Sequence, residues 1–426
     1  MQIRQFVYVL TLIFATSSFA LAVEQPANID EKATHEQVGL IEIPKESPIN
    51  AFCLNAEGQL LTAMGSGPGE IRILDASGEQ VAAWQISIKP EAINTAPDGT
   101  ILVAGNGQVM RFSPEGKLLS KAKSPHAKAV EDNQEDLRQQ AEQELSQISR
   151  PAAAMIEMYT KMMDQLQAKQ EKGELNDQEK KVLKILPDNI TRLEEQKALE
   201  EQQAAELSQP EESGESKEAK IAVRMKALSQ RKLHVASVSS DGKFVYIAAP
   251  AVKGYTYDVW RMSPEFADGQ IVVTDLRGCC GHMDVQACEA GLFVAENARH
   301  RVARFDADGV AGITWGKADR SGEDGFTSCC NPMNVCFNKS GDVYTAESNT
   351  GRIKRFAADG TFKEFVGDVK LVPGCKNVSI AVSPDSDKVY MLDITRNHIV
   401  LMQRKSAETE ATETAEAKVE TTESSL

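Results

Sequence analysis

Residues 332–362 read PMNVCFNKSGDVYTAESNTGRIKRFAADGTF. A short apolar run ends at a Gly-centred turn, a second run ends in a small residue, and a polar turn leads to a third run closing on Arg-Phe. A second Gly turn follows. Alternating runs of this length between turn signals read as antiparallel strands. The same grammar recurs in 282–310 (HMDVQACEAGLFVAENARHRVARFDADGV), 90–118 (PEAINTAPDGTILVAGNGQVMRFSPEGKL) and 49–79 (INAFCLNAEGQLLTAMGSGPGEIRILDASGE), and more loosely in 234–269 and 377–403. Six units of about 41 residues each therefore fill 48–125 and 233–403, and that is the size of a four-stranded propeller blade.

These residues resemble the NHL-repeat family of six-bladed β-propellers, within the TolB-like propeller superfamily. The pattern P-x-x-V-x-x-x-x-x-G-x-x-Y-x-A-[DE]-S-x-x-x-R-I-x-x-F-x-x-x-G is nearly complete from Pro332 to Gly360, and Trp315-Gly316…Gly325-Phe326 ahead of it matches the inter-blade link. The resemblance covers roughly 60% of the chain. It implies an all-β fold, a six-bladed β-propeller with an α-helical, coiled-coil-like insertion between blades 2 and 3. The sixth unit supplies only three strands (about 378–383, 388–392 and 397–403), so its fourth is expected from Gly39 to Ile43. Such a circular join removes open sheet edges.

Between blades 2 and 3, residues 126–232 hold two glycines (Gly173, Gly214), one aromatic (Tyr159) and no cysteine. Gln, Glu, Lys, Ala and Leu dominate, all strong helix formers. Helices are expected near 131–149, 152–170, 177–186, 189–207 and 216–230, with N-caps at Asn176-Asp177 and Asp188, and a flexible break from Glu211 to Lys217. The thin stripe of Met155, Met158, Met162, Leu166, Leu183, Leu186 and Leu193 suits a hairpin-like arm. At the N-terminus, Arg4, the apolar run Phe6–Ala15 and Ala20-Leu21-Ala22 read as a signal peptide over 1–22, so the protein is expected to be secreted or periplasmic, with no transmembrane segment after cleavage. The tail 404–426 has almost no large apolar residue and reads as disordered and acidic. The propeller thus divides into 39–125 and 233–403.

The formal net charge is −15, from 47 basic and 62 acidic residues. That weighs against a nucleic-acid partner, which needs a surplus of Lys and Arg.

All eight cysteines lie in the repeats: Cys53, Cys279, Cys280, Cys288, Cys329, Cys330, Cys336 and Cys375. Stacking the blades puts Cys280, Cys330 and Cys375 at one equivalent position before the innermost strand. Glu296, Glu347 and Asp393 share another, at the end of the second strand, where blades 1–3 have Met64, Gly105 and Ala249. In a propeller both positions open on one face. An even cysteine count in an exported chain reads first as disulfides, for example Cys279 or Cys280 to Cys329 or Cys330. A soft-metal site of Cys280, Cys330, Cys375 and His282 is a second reading, and a vicinal disulfide a third. The three acids order their own turns or, as the resemblance to propeller lactonases implies, hold a divalent cation, so the candidate metals are Zn, Ca and Cu. His300 and His398 sit at third-strand starts, and no histidine belongs to a nucleophile motif. A lyase resembling amidating lyases needs several channel histidines, and only His282 stands at such a place. The leading expectation is a binding or scaffold module for a protein, peptide or glycan, with the helical arm as a protein contact. The alternative is a metal-dependent lactonase- or lyase-like enzyme on the same rim.

Overall fold

Six four-stranded antiparallel sheets, among the described residues, carry the repeats. The computed structural model describes residues 33–44, 46–148, 152–173, 175–206, 217–319, 325–327, 330–372 and 374–406. The expected signal peptide, Cys329, most of the break at 211–217 and the tail from 407 lie outside the described residues.

In the first sheet β2 (Ile49–Leu54), β3 (Leu60–Met64), β4 (Gly69–Leu74) and β5 (Gln80–Ile86) pair in sequence order. The second holds β6 (Ala92–Thr95), β7 (Ile101–Gly105), β8 (Gln108–Phe112) and β9 (Leu118–Lys123), and the third β10 (Ser237–Ser240), β11 (Val245–Pro250), β12 (Tyr257–Met262) and β13 (Gln270–Leu276). The fourth holds β14 (Asp284–Cys288), β15 (Gly291–Glu296), β16 (Arg301–Phe305) and β17 (Ala311–Trp315). A two-residue parallel pair, β18 (Lys317–Ala318) with β19 (Gly325–Phe326), lies in the link to the fifth sheet. That sheet holds β20 (Asn334–Phe337), β21 (Val343–Ala346), β22 (Arg352–Phe356) and β23 (Phe362–Asp368). In the last, β24 (Ile380–Val382), β25 (Lys388–Asp393) and β26 (His398–Arg404) are completed by β1 (His35–Glu42), with Ile41 opposite Ile399. First strands neighbour one another in the order β2, β6, β10, β14, β20, β24, and β24 returns to β2. The arrangement is propeller-like.

Burial follows the layering. Second strands such as β3 (LLTAM) and β7 (ILVAG) are buried throughout, because both faces of each sheet pack on neighbouring sheets. The outermost β9 (LLSKAK) alternates between exposed and half-buried, and its lysines discourage edge pairing. Adjacent sheets lock through an indole against a glycine turn. A Cβ at Gly116 (φ +82°) would lie 2.7 Å from the Trp84 ring, and one at Gly360 (φ +84°) 2.9 Å from Trp315. No L-side chain fits there.

The first strands are stitched by side chains reaching the next sheet. Ser237 Oγ accepts from the Val285 amide at 3.0 Å, Asp284 Oδ2 from the Val335 amide at 2.7 Å, and Asn334 Oδ1 from the Ile380 amide at 3.0 Å. One layer along, Asn94 Nδ2 donates to Gln286 Oε1 at 2.6 Å, and Gln286 Nε2 donates to Asp284 Oδ1 at 2.7 Å. This polar chain joins the second and fourth sheets.

The insertion has five helices among the described residues: α1 (Pro125–Asp132), α2 (Gln134–Ile148), α3 (Ala152–Glu171), α4 (Asp177–Glu206) and α5 (Lys217–Lys232). They form two separate pairs, α2 with α5 and α3 with α4, and no continuous coiled coil. The first helix starts earlier than its composition suggests because Pro125 occupies its first turn and His126, Ala127 and Val130 are buried. Asn176 and Glu179 make a reciprocal capping box: the Glu179 amide donates to Asn176 Oδ1 at 2.9 Å and the Asn176 amide to Glu179 Oε2 at 3.1 Å. Asp188 caps nothing, since it lies inside α4. The expected break at Pro187 is overridden because Leu183, Leu186, Ile190 and Leu193 keep one face across it and pack with Met155, Met158, Tyr159, Met162 and Leu166. Pro187 itself is exposed, so its ring stays off the packed face of the pair.

Candidate functional site: the thiol rim and the arm

Three sulfurs meet at the entry to the fourth and fifth sheets. Cys279 Sγ lies 3.0 Å from Cys330 Sγ and 3.5 Å from Cys280 Sγ, and Cys280 Sγ lies 3.4 Å from Cys330 Sγ. Cys330 is buried, Cys279 half-buried and Cys280 exposed, so the triangle runs from core to solvent. The turn that builds it is strained: Cys280 has φ +56°, in the left-handed region, and Gly281 follows at φ +79°. Asn297, fully buried, holds it by accepting from the Cys279 amide at 2.7 Å and donating to the His282 carbonyl at 3.3 Å and Met333 Sδ at 3.6 Å. Burial, opposed by the hydrogen bond with Cys330 and aided by Cys279, pushes the Cys280 thiol up to about 12. Cys330 is held well above the usual thiol range, first by its hydrogen bond with Cys279, then by burial and by Cys375 and Cys280. Cys375, on the link into the sixth sheet, interacts with Cys330 but lies outside the close triangle.

The sequence-expected ligand set is revised in three places. Cys279 belongs to the cluster because the tight turn brings both members of the doublet together. Cys375 is absent from the metal-sized group of Cys279, Cys280 and Cys330, and so is His282. Its mostly buried ring is pushed down to about 4, first by desolvation and then by His234.

No disulfide joins any of the described cysteines. Of the expected partners, Cys279 and Cys280 lie beside Cys330 across the entry to the fourth and fifth sheets. Cys53 and Cys336 occupy first strands of separate sheets, Cys53 facing Thr95 Oγ1 at 3.7 Å. Burial pushes Cys53 up to about 12 and Cys336 well above its usual range. Cys288 ends β14 and packs with the Phe293 and Val335 cluster. These three behave as small apolar residues.

The three rim acids each tie down a link entering their own sheet. Glu296 accepts from the Arg277 amide at 3.1 Å and pairs with Arg299 at 2.6 Å and Arg301 at 2.5 Å. Glu347 accepts from the Thr327 amide at 3.0 Å and the Thr327 hydroxyl at 2.5 Å, and pairs with Lys354 at 3.4 Å. Asp393 accepts from the amides of Val372 (3.2 Å), Thr395 (3.0 Å) and Arg396 (3.2 Å). Amides, a hydroxyl and cations thus take up most of the oxygens an added cation would need, and Glu347 Oε1 meets Lys354 without a hydrogen bond. Blade 2 solves the same problem from the opposite side. A Cβ at Gly105 would lie 2.1 Å from the Lys89 carbonyl, so no acid fits there; Glu91 on the link accepts from the amides of Asn106 (3.0 Å) and Val235 (2.9 Å) instead. His300 takes φ +53° before β16, and His398 opens β26, so both sit at third-strand starts.

The arm is rooted on this same face. Glu144 of α2, nearly buried, receives Arg224 at 2.5 Å and Arg231 at 2.9 Å from α5, and the Tyr255 hydroxyl at 3.0 Å from the β11–β12 turn. Lys232 Nζ donates to the carbonyls of Ala251 (2.5 Å) and Gly254 (2.6 Å). Burial pushes this ammonium down to about 8, with Arg231 adding to the effect. Tyr257, pushed up to about 12 chiefly by burial, feels both Arg231 at the arm's base and Cys279 and Cys280. Sequence reading missed this root. A tyrosine in a hairpin turn and one acid facing two arginines carry no linear signature.

No protein-family model matches the chain, and no curated protein matches it. Among solved structures, a catalytically inactive virginiamycin B lyase from Staphylococcus aureus with quinupristin is 8% identical, with a TM-score of 0.41, covering 86% of this chain and 98% of its own. A selenomethionine-substituted virginiamycin B lyase from the same organism gives 8% identity and a TM-score of 0.42, with 87% and 98% covered. A streptogramin B lyase gives 10% and 0.39, with 86% and 97% covered. Likeness at this level carries no argument about chemistry.

Proposed function

We propose that the chain is an NHL-type six-bladed β-propeller, exported to a secreted or periplasmic location, that works as a binding module for a protein or peptide. The binding face is the one that carries the thiol rim and the helical arm. The observation that carries this reading is the arm's construction. A buried ionic root at Glu144 fixes α2 and α5 to the third sheet, while α3 and α4 form a separate Met-rich pair beyond it. A rigid root with a distinct outer hairpin suits presentation to a partner, and methionines adapt to varied apolar surfaces. The rim acids argue against the hydrolase alternative, since each is spent on backbone amides or cations.

The test removes only the outer pair, replacing residues 149–216 with a short Gly/Ser linker. Loop length contributes little to closure entropy, so the melting temperature should stay within a few degrees. A photo-crosslinking residue at exposed Lys161 should give a discrete adduct in the native compartment, and one at exposed Val81 on β5 should not. Competition with excess full chain should remove the adduct, while excess hairpin-less chain should leave it. Equal competition by both chains, or no adduct at Lys161, would sink the proposal.

A further inference from the structure

We infer that Cys279, Cys280 and Cys330 form a binding site for one thiophilic closed-shell cation, Zn(II) or Cu(I). The geometry carries this beyond the binding-module reading. Three sulfurs from two sheets stand within 3.5 Å of each other, and no carboxylate or imidazole belongs to the group. An all-sulfur donor set selects soft cations and disfavours Ca(II), which takes oxygen ligands. With metal–sulfur bonds of about 2.3 Å, a three- or four-coordinate cation needs sulfur–sulfur edges of about 3.8–4.0 Å. The triangle reaches that by opening each edge by less than about 1 Å.

Three further observations fit a metal site better than a disulfide. A disulfide uses two sulfurs, whereas this cluster brings a third within 3.5 Å of both. The left-handed Cys280 is the kind of backbone outlier that persists where surrounding structure enforces it, and Asn297 supplies that enforcement. The triangle also has an entry path, from exposed Cys280 to buried Cys330, with the Met333 thioether behind it on Asn297. On binding, each coordinating thiol gives its proton to solvent and its sulfur lone pair to the cation, and no electron is transferred.

The experiment uses the full chain, reduced and anaerobic, titrated with Zn(II) or Cu(I) against a competing chelator and with Co(II) as a spectroscopic probe. One equivalent should bind, with thiolate-to-Co(II) charge-transfer absorption. Cys280→Ser, at an exposed position, should weaken binding at least about tenfold without changing the melting temperature of the metal-free protein. Cys330→Ser should abolish binding, and Cys53→Ser should leave it unchanged. Loss of the tetrahedral Co(II) bands in Cys375→Ser would assign a four-sulfur Zn(II) site; an unchanged Cys375→Ser with tight Cu(I) uptake would assign a three-sulfur Cu(I) site. Less than a tenth of an equivalent of either metal would overturn the inference. So would uptake unchanged in both Cys280→Ser and Cys330→Ser.

Discussion

Glu347→Ala should destabilise the protein by about 4 kcal/mol, the largest single-residue loss expected on the rim. Glu347 is fully buried, and so nearly is its partner Lys354, so water screens neither charge. Removing the carboxylate leaves an ammonium in the core beside the Gly325 carbonyl and the Phe326 ring, and it strips the acceptor from the Thr327 amide and one of two acceptors, the other being Asn349 Oδ1, from the Thr327 hydroxyl. Each buried donor left unpaired costs about 1–3 kcal/mol. Glu347→Gln keeps an acceptor and should cost about half as much. Glu347→Ala with Lys354→Met should cost less than the sum of the two single changes, because the second removes the stranded charge. Glu296→Ala should cost only about 1–2 kcal/mol, since Arg299 and Arg301 are each about a third exposed and can turn to water. Chemical denaturation of the five variants, Lys354→Met alone included, settles the ranking. A loss below about 1 kcal/mol for Glu347→Ala would show that the pair is not a linchpin.

Asp284→Asn should change how stability responds to pH. Burial pushes the Asp284 carboxyl up to about 6, against hydrogen bonds from the Val335 amide, Gln286 and the Val285 amide that oppose the rise. In the unfolded chain the group titrates near its ordinary value of about 3.9. Between those pH values the folded state keeps a proton that the unfolded state has released. Its contribution to stability is therefore fully present below about pH 4 and is lost as pH rises through about 6, the reverse of a salt-bridged aspartate. At about 1.4 kcal/mol per pH unit, this group should cost the native protein about 2 kcal/mol between pH 4.5 and 7.5. Asn carries no charge at either pH. Whatever constant offset the amide brings to the Asn94–Gln286 chain, the difference between variant and wild type should move by about 2 kcal/mol in the variant's favour over that range. Parallel denaturation curves for the two proteins at both pH values would refute it.

The run PMNVCFNKSGDVYTAESNTGRIKRF, with its looser copies, carried enough local information to determine the sheets: alternation, glycine turns and a fixed period are all properties of neighbouring residues. It also placed Glu296, Glu347 and Asp393 at one register position, and their shared task of holding an entering link follows from that register. The Asn176–Glu179 cap was readable for the same reason. What the chain could not state locally was decided by packing. Pro187 predicts two helices, yet one runs through it because the Leu183–Leu193 stripe finds α3 on a single face. Gly105 departs from the acidic pattern because the Lys89 carbonyl fills the space a side chain would need. The root at Glu144 joins residues from α2, α5 and a blade-3 turn, 80, 87 and 111 positions apart. The thiol cluster is the clearest case. Alignment selected Cys280, Cys330, Cys375 and His282, but a left-handed turn at Cys280 put Cys279 into the triangle and His282 outside it. A one-residue change in where a side chain points is set by backbone torsion and by Asn297, and neither is written in the spacing of the cysteines.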